Sequence, residues 1–366
     1  MGTAAGGPGG VDRSRGPRSG RLSSSDPARR VPRSAIAGAL ALLLGALAAG
    51  VLIGPAALDP GRVLLELLDH LPLIDLDSGL DARGAAIVWE LRLPRALLGA
   101  LVGATLSVAG GAYQGVFRNP LADPYLLGVA AGAGLGATVV IVTVGSGSAV
   151  VPIAAFAGAI AAVATAYALG SAAGGRRSGA TLILAGVAVA AFLTAAQTFV
   201  QQHNADSIRE VYSWILGRLG TAGWSEVALM TPYAAVSVVV ILFHRRLLDV
   251  LAVGEEEARA LGVRPERVRA AVVVAATLGT AGAVAVSGLI GFVGIVVPHT
   301  IRLLVGASYR WILPLSVVGG AAFLMLADLV ARSALGPSEI PIGVVTAFVG
   351  GPFFMIVLRT SRKAIS

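Results

Sequence analysis

Between residues 35 and 358 the chain alternates long apolar runs with short connectors rich in Gly, Pro, Asp and Arg. The runs lie at about 35–53, 96–116, 125–144, 149–170, 180–201, 225–243, 270–287, 292–305, 311–331 and 342–358. A run of about 20 apolar residues reads as a helix crossing a hydrocarbon core of roughly 30 Å. The pattern therefore predicts an all-α, polytopic membrane protein of about ten transmembrane helices, with both termini on one side. The run 292–305 is too short to cross alone and reads as a broken helix. Gly99 and Gly103, and Gly128, Gly132 and Gly136, share helix faces at a spacing of four and let backbones approach. Residues 118–124 form a polar hinge in which Pro120 and Pro124 stop one helix and restart another.

Composition agrees with the pattern. Of 366 residues 56% are hydrophobic and only 13% charged, with a mean hydropathy of +0.82. A soluble domain carries about 25% charged residues. The absence of Cys excludes disulfides, thiolate metal sites and cysteine nucleophiles. Lys363 is the only lysine, and it lies in the tail, so no phosphate-cradling G-x-x-x-x-G-K-[ST] loop exists in this chain. If ATP drives the protein, another chain binds it. The net charge of +8 reads as basic loops at the cytoplasmic face, with no nucleic acid as partner. With the N-terminus inside, the basic residues favour the inner segments by roughly three to one. Residues 1–34 read as a disordered basic tail, and the first apolar run as an uncleaved helix rather than a signal peptide.

Few ionisable residues lie within the runs. Asp328 is in the ninth, and His299 and Arg302 are in the eighth. A proton- or sodium-driven transporter would be expected to carry buried acidic or histidine relays. Asp328 and Arg332 are four apart, a spacing that suits a helical ion pair. His299 and Arg302, one turn apart, read as a buried hydrogen-bonded cluster near the inner face. They do not read as a metal site, because Arg is not a ligand. No nucleophile–base pair or carboxylate pair stands at membrane depth, so a membrane enzyme is disfavoured.

Residues 245–269 alternate apolar and charged positions and read as two short amphipathic helices on the inner face. Glu255, Glu256 and Glu257 fall at the start of the second. Residues 202–224 read as an outer amphipathic helix, with Trp214 and Trp224 at interfacial depth.

Four blocks, in order, resemble the FecCD-type permeases, the iron–siderophore and cobalamin subunits of ATP-binding-cassette (ABC) importers. They are residues 110–128; Gly254, Glu255, Ala258, Leu261 and Gly262 in G-E-x-x-A-x-x-L-G; 287–305, with G-x-I-G-F-V-G-x-x-x-P-H-x-x-R; and 338–352, with E-x-P-I-G-V-V-T. The resemblance covers about residues 35–360 and leaves 361–366 as a cytoplasmic tail. It implies a type II ABC importer permease fold in the plasma membrane of a bacterium, with both termini cytoplasmic.

The implied partners are a second permease subunit, identical or paralogous, two cytoplasmic ATPase subunits that carry ATP and Mg, an extracytoplasmic substrate-binding protein, and lipid. This chain itself carries no cofactor. Gly254, Glu255, Glu256, Ala258, Leu261 and Gly262 would couple to the ATPase. Arg92, Arg95 and Arg332 would dock the binding protein through their planar guanidinium forks. An inner gate would fall on Asn119 and Leu121 and on Gly179 and Ala180, where the family often has hydroxyl residues. Gln114 and Gln197 would line a wide, chemically bland pathway. Ferric siderophore ranks first as cargo, then cobalamin, then haem. A proton-coupled secondary transporter is the rival of another class, and a structural membrane scaffold is a third reading.

Overall fold

The structure is a computed structural model that describes residues 2–3, 33–70, 76–172, 179–220, 223–336 and 338–362. The chain divides into Met1–Arg30 and Val31–Ser366. The basic tail expected over 1–34 lies outside the described residues apart from Gly2, Thr3, Arg33 and Ser34, as do Arg176, Arg177 and Lys363.

The second unit is helical: α1 (Arg33–Leu52), α2 (Pro60–Asp69), α3 (Ala82–Ala86), α4 (Leu93–Phe117), α5 (Val129–Thr143), α6 (Val150–Ala172) and α7 (Gly179–Gln202). Then come α8 (Ile208–Ile215), α9 (Trp224–Val253), α10 (Glu255–Ala260), α11 (Pro265–Ser287), α12 (Val293–Val305), α13 (Tyr309–Ser333) and α14 (Ile342–Arg362). Among the described residues, seven helices are long and apolar enough to cross a membrane. The apolar stretches of α5, α12 and α14 are shorter. Together these are the ten expected runs.

The chain between the first two spans departs from the sequence reading. Helix begins at Ala82 rather than 96, and passes through a turn of π-helix over Ile87–Arg92 into α4. That polar stretch is helical because it packs as a cap at one end of the bundle. Asp59 and Asp81 accept the backbone N–H groups of Arg62 and Gly84 and so start α2 and α3. Glu66, nearly buried, accepts from Ser78 Oγ at 2.6 Å and from Trp89 Nε1 at 3.1 Å, which fastens α2 to the helix that leads into α4.

Helix α4 is the axis of the bundle, packed against α9, α11, α12 and α13. Lipid tails are as apolar as leucine, so helices in a membrane associate by close packing rather than by hydrophobic burial. Two pairs of glycines make that packing possible. A Cβ at Gly103 would overlap the Gly320 carbonyl oxygen, and one at Gly320 would overlap that of Gly103, which seats α4 on α13. Gly132 and Gly158 do the same for α5 and α6.

Two of these short spans, α5 and α12, begin after a break in the α-helical chain, which in the first case holds only a 3-10 turn at Pro124–Leu127. Helix α5 follows residues 118–128, and α12 follows residues 288–292. At 1.5 Å per residue, the 13 residues of α12 reach only about 20 Å.

Gly103→Leu and Gly132→Val are expected to lower thermal stability in detergent by about 1–3 kcal/mol or more through overpacking. Gly291→Ala, where an added Cβ meets nothing within 4 Å, is expected to leave the melting temperature unchanged. Melting the three purified variants beside the wild type checks this.

Candidate functional site

Chemistry-bearing residues gather at three places: the hinge with the helix break it touches, the loop around α10, and an arginine cluster under the cap.

At the hinge, Arg118 ends α4 in the left-handed conformation, with φ of 50°, and Asn119 N–H returns to the Gln114 carbonyl at 3.1 Å. Asn119 Oδ1 then accepts from Leu121 N, and Asp123 Oδ1 from Tyr125 N at 2.8 Å. Side chains therefore replace the backbone bonds that the two prolines remove. Pro124 lies against Gly294 of α12. The Tyr125 hydroxyl donates to the Ile290 carbonyl at 3.0 Å and accepts from Ile290 N–H at 3.1 Å. One side chain from the first break thus pairs both polar groups of a residue in the second. Gly179 sits beside Phe117, the last residue of α4, and Ala180 is exposed on α7.

Gln114 does not line an open path in this chain. It is 1% exposed, donates to the Gly294 carbonyl at 3.2 Å and accepts from Arg302 at 3.1 Å. Gln197 is similarly buried and donates to Thr138. Both lie in helix–helix contacts because an unpaired amide in an apolar bundle is costly. The expected His299–Arg302 cluster forms around Arg302 only. Its guanidinium reaches Gln114 and the Tyr309 hydroxyl and lies 5.1 Å from the Tyr309 ring centroid. The His299 ring instead meets the edge of Phe353.

At the α10 loop, α9 continues to Val253 instead of giving way to a first short helix, because Leu247, Leu248, Val250 and Leu251 keep packing against its neighbours. The single short helix, α10, is then fixed on three sides. Ala258 is fully buried. Glu255 pairs with Arg269 of α11 and, at 3.3 Å, with Arg259, which also binds Glu266 at 2.5 Å. Gly262, at φ of 79°, ends the helix with Val263 N–H on the Ala258 carbonyl at 2.9 Å. The six expected coupling residues divide. Gly254 is buried with Ala258, and Glu255 is engaged, whereas Glu256, Leu261 and Gly262 are exposed. Leu261 and Val253 are each 71% exposed, an apolar pair in a charged loop.

Under the cap, the three arginines expected at a docking surface come together but are engaged within the chain. Arg92 is 4% exposed and donates to the carbonyls of Val51 and Leu52, which α1 leaves unpaired at its end, and to that of Ala56 in the turn beyond. Arg332 lies 3.5 Å from Asp328 and donates to the Gly50 carbonyl at 2.5 Å. Arg95 binds Asp328 through Nε and Nη2, and Glu339 at 2.8 Å through Nη1. The expected Asp328–Arg332 pair is present, yet the closer partner of Asp328 is Arg95 at 2.8 Å. Sequence spacing gave no sign of that pairing, because it joins residues 233 apart. Glu339 was also missed as a member of the cluster, although it stands in the matching E-x-P-I-G block.

Cavities adjoin two of these places, and the smaller, of about 170 Å³, is lined by Arg95, Asp328 and Glu339 of the arginine cluster. A largely apolar cleft of about 510 Å³ is lined by Leu289, Gly291 and Phe292 of the break, by Leu216, and by Val344 and Phe348 of α14. Phe292 holds φ of 68°, which costs a residue with a side chain on the order of 1–3 kcal/mol. Its ring lies where a Cβ of Gly350 would stand.

Comparison with known proteins matches the chain over nearly the range that holds these blocks. Residues 42–360 match the model of the FecCD transport family. The cobalamin import system permease protein of Halobacterium salinarum is 42% identical over 284 residues, 78% of this chain and 76% of that one. The hemin transport system permease protein of Yersinia pestis is 38% identical, over 75% of this chain and 84% of that one. An Fe(3+)-citrate import system permease protein of Bacillus subtilis is 36% identical, over 84% and 90%. A solved structure described as an inward-facing conformation of a metal-chelate type ABC transporter superposes with a TM-score of 0.78 at 28% identity, over 90% of this chain and all of that one.

Arg95 holds Glu339 below the usual carboxylate range, through their hydrogen bond first and its charge second. A depressed folded-state value means that the tether is complete above the unfolded value, about 4.3, and is lost as pH falls through the lower folded value. Backbone amides around Ser338–Ile340 are expected to stay protected from hydrogen exchange from pH 7 down to about 4, and to open below it. Glu339→Gln is expected to exchange faster already at pH 7.

Proposed function

The chain belongs to the FecCD transport family and is the membrane-spanning permease subunit of an ABC importer for iron chelates, cobalamin or haem; within that class we propose ferric siderophores as the cargo, moved inward by alternating access. Cobalamin and haem rank second and third. Relatives named for all three cargoes match this chain at 33–42% identity, so the ranking follows the frequency of iron chelates among them.

The observation that carries the mechanism is the division of α10 into a locked face and a free face. Glu255 and Ala258 tie the helix to α11 and the bundle, while Val253, Glu256 and Leu261 point away from this chain. A short element fixed at its base and apolar at its tip suits a lever in a groove of another subunit. Two such ATPase subunits would bind ATP and Mg and push on α10, and so on α9 and α11. The bias of basic residues toward one side supports an orientation with this end, and both termini, in the cytoplasm of a bacterial cell. A second permease subunit would cover part of the open side of α7, where Leu184, Phe192 and Phe199 are exposed.

A substrate-binding protein would meet the cap end. Arg92 and Arg332 hold the end of α1 rather than face outward, so acidic groups of that protein would reach Arg95 only as Glu339 lets go. Asp328 is committed to two arginines, which argues against its service as a proton relay and so against a secondary transporter.

Cells lacking the gene are tested with labelled ferric hydroxamate, ferric citrate, cobalamin and haemin. Loss of a ferric chelate alone supports the proposal, and loss of cobalamin or haemin alone replaces the cargo. Restoring the gene as Leu261→Asp or Glu256→Arg is expected to lower uptake at least tenfold with the protein still in the membrane. Leu44→Ile, an exposed apolar change on α1, is expected to transport normally.

A further inference from the structure

The break between α11 and α12 starts with Gly288 packed on the Trp214 carbonyl, is flanked further on by two contacts of opposite character, and is bordered by a cavity. On one side stands a single polar clasp, the Tyr125 hydroxyl on the N–H and the carbonyl of Ile290. On the other is the Phe292 ring, set against Gly350 of α14. Both ends of the segment are left-handed, Gly288 at φ of 70° and Phe292 at 68°. Between them, an added Cβ at Gly291 meets nothing within 4 Å, and the cleft of about 510 Å³ opens beside it.

We infer that Tyr125 and Phe292 are positioning residues for transport, which together set where the 288–292 segment stands between the hinge and α14, and that the segment shifts into the cleft as the chain changes conformation. The inference rests on the permease reading and deepens it. Packed helices move between discrete arrangements rather than bend continuously, and the residues that absorb such changes sit at element ends. Segment 288–292 has that form: a positive-φ residue at each end, one side chain whose two hydrogen bonds hold the middle, and space beside Gly291. Tyr125 belongs to the hinge next to Asn119 and Leu121, so movement there and movement at the cleft share one hydroxyl. A left-handed Phe292 stands where Gly would be easier, which fits a need for its ring on α14.

The chain has no cysteine, so Gly291→Cys supplies the only thiol of this subunit. The complete transporter, with its ATPase subunits, is labelled with a small maleimide without nucleotide and with a non-hydrolysable ATP analogue. The labelling rate is expected to change at least fivefold between the two conditions. Adding Tyr125→Phe, which removes one oxygen and keeps the ring, is expected to make labelling fast in both. Phe292→Gly is expected to do the same, while Phe292→Tyr, which keeps the ring, restores the difference. A rate that ignores nucleotide, or variants that label as their parent does, would overturn the inference. Uptake of the four labelled chelates is measured in the same preparations. If none is imported but the rate follows nucleotide, the cargo ranking falls and the inference stands.

Discussion

Hydrocarbon offers no water to an unpaired N–H or carbonyl, and each one left open there costs several kcal/mol. That constraint governs the architecture wherever a span is interrupted. This chain interrupts two, at 118–128 and at 288–292, and each interruption finds its polar partners in what lies around it. Asn119 and Asp123 serve the first from within, and Tyr125 crosses over to serve the second. Because Ile290 depends on Tyr125 for both of its backbone bonds, the two breaks are one unit. They draw α4, α5, α11 and α12 to a common point, with Pro124 seated on Gly294. The glycine contacts of α4 with α13, and of α5 with α6, hold the remaining helices close enough for that point to be buried.

Charge follows the same economy at the cap. A guanidinium taken from water needs several acceptors at once, and the end of a helix supplies carbonyls that lack donors. Arg92 and Arg332 close the end of α1 in this way. Arg95 then balances Asp328 and extends to Glu339 at the surface. The result is a graded cluster, buried at Asp328 and half-open at Glu339. Its outer member is therefore the one that a partner's carboxylate would replace.

The sequence made the spans legible because twenty apolar residues in lipid have few alternatives to helix. All ten runs match helices, with boundaries shifted where polar residues pack against a cap or a neighbour, as at Ala82 and Val253. Motif blocks located the hinge, the loop and the break. They could not say which face of α10 was free, since Glu255 and Glu256 are adjacent and look alike until Arg269 claims one of them. Nor could they show that Gln114 serves packing, that Arg95 meets Asp328, or that Tyr125 reaches Ile290. Those contacts join residues far apart in the chain, and an isolated polar residue in an apolar run gives no clue to its partner. The single in-helix pair that spacing did predict, Asp328 with Arg332, proved the longer of the two bonds that Asp328 makes.

The hinge and the break, on this view, are the parts that move, α10 is the part that is pushed, and the energy comes from another chain. The most direct test is the energy source. Vesicles holding the chain with its ATPase subunits and binding protein are assayed for uptake of labelled ferric hydroxamate, with ATP and a protonophore present, and separately with an imposed pH gradient and no ATP. Uptake that requires ATP and ignores the protonophore is the predicted result. Uptake driven by the gradient without ATP, and abolished by Asp328→Asn, would contradict it.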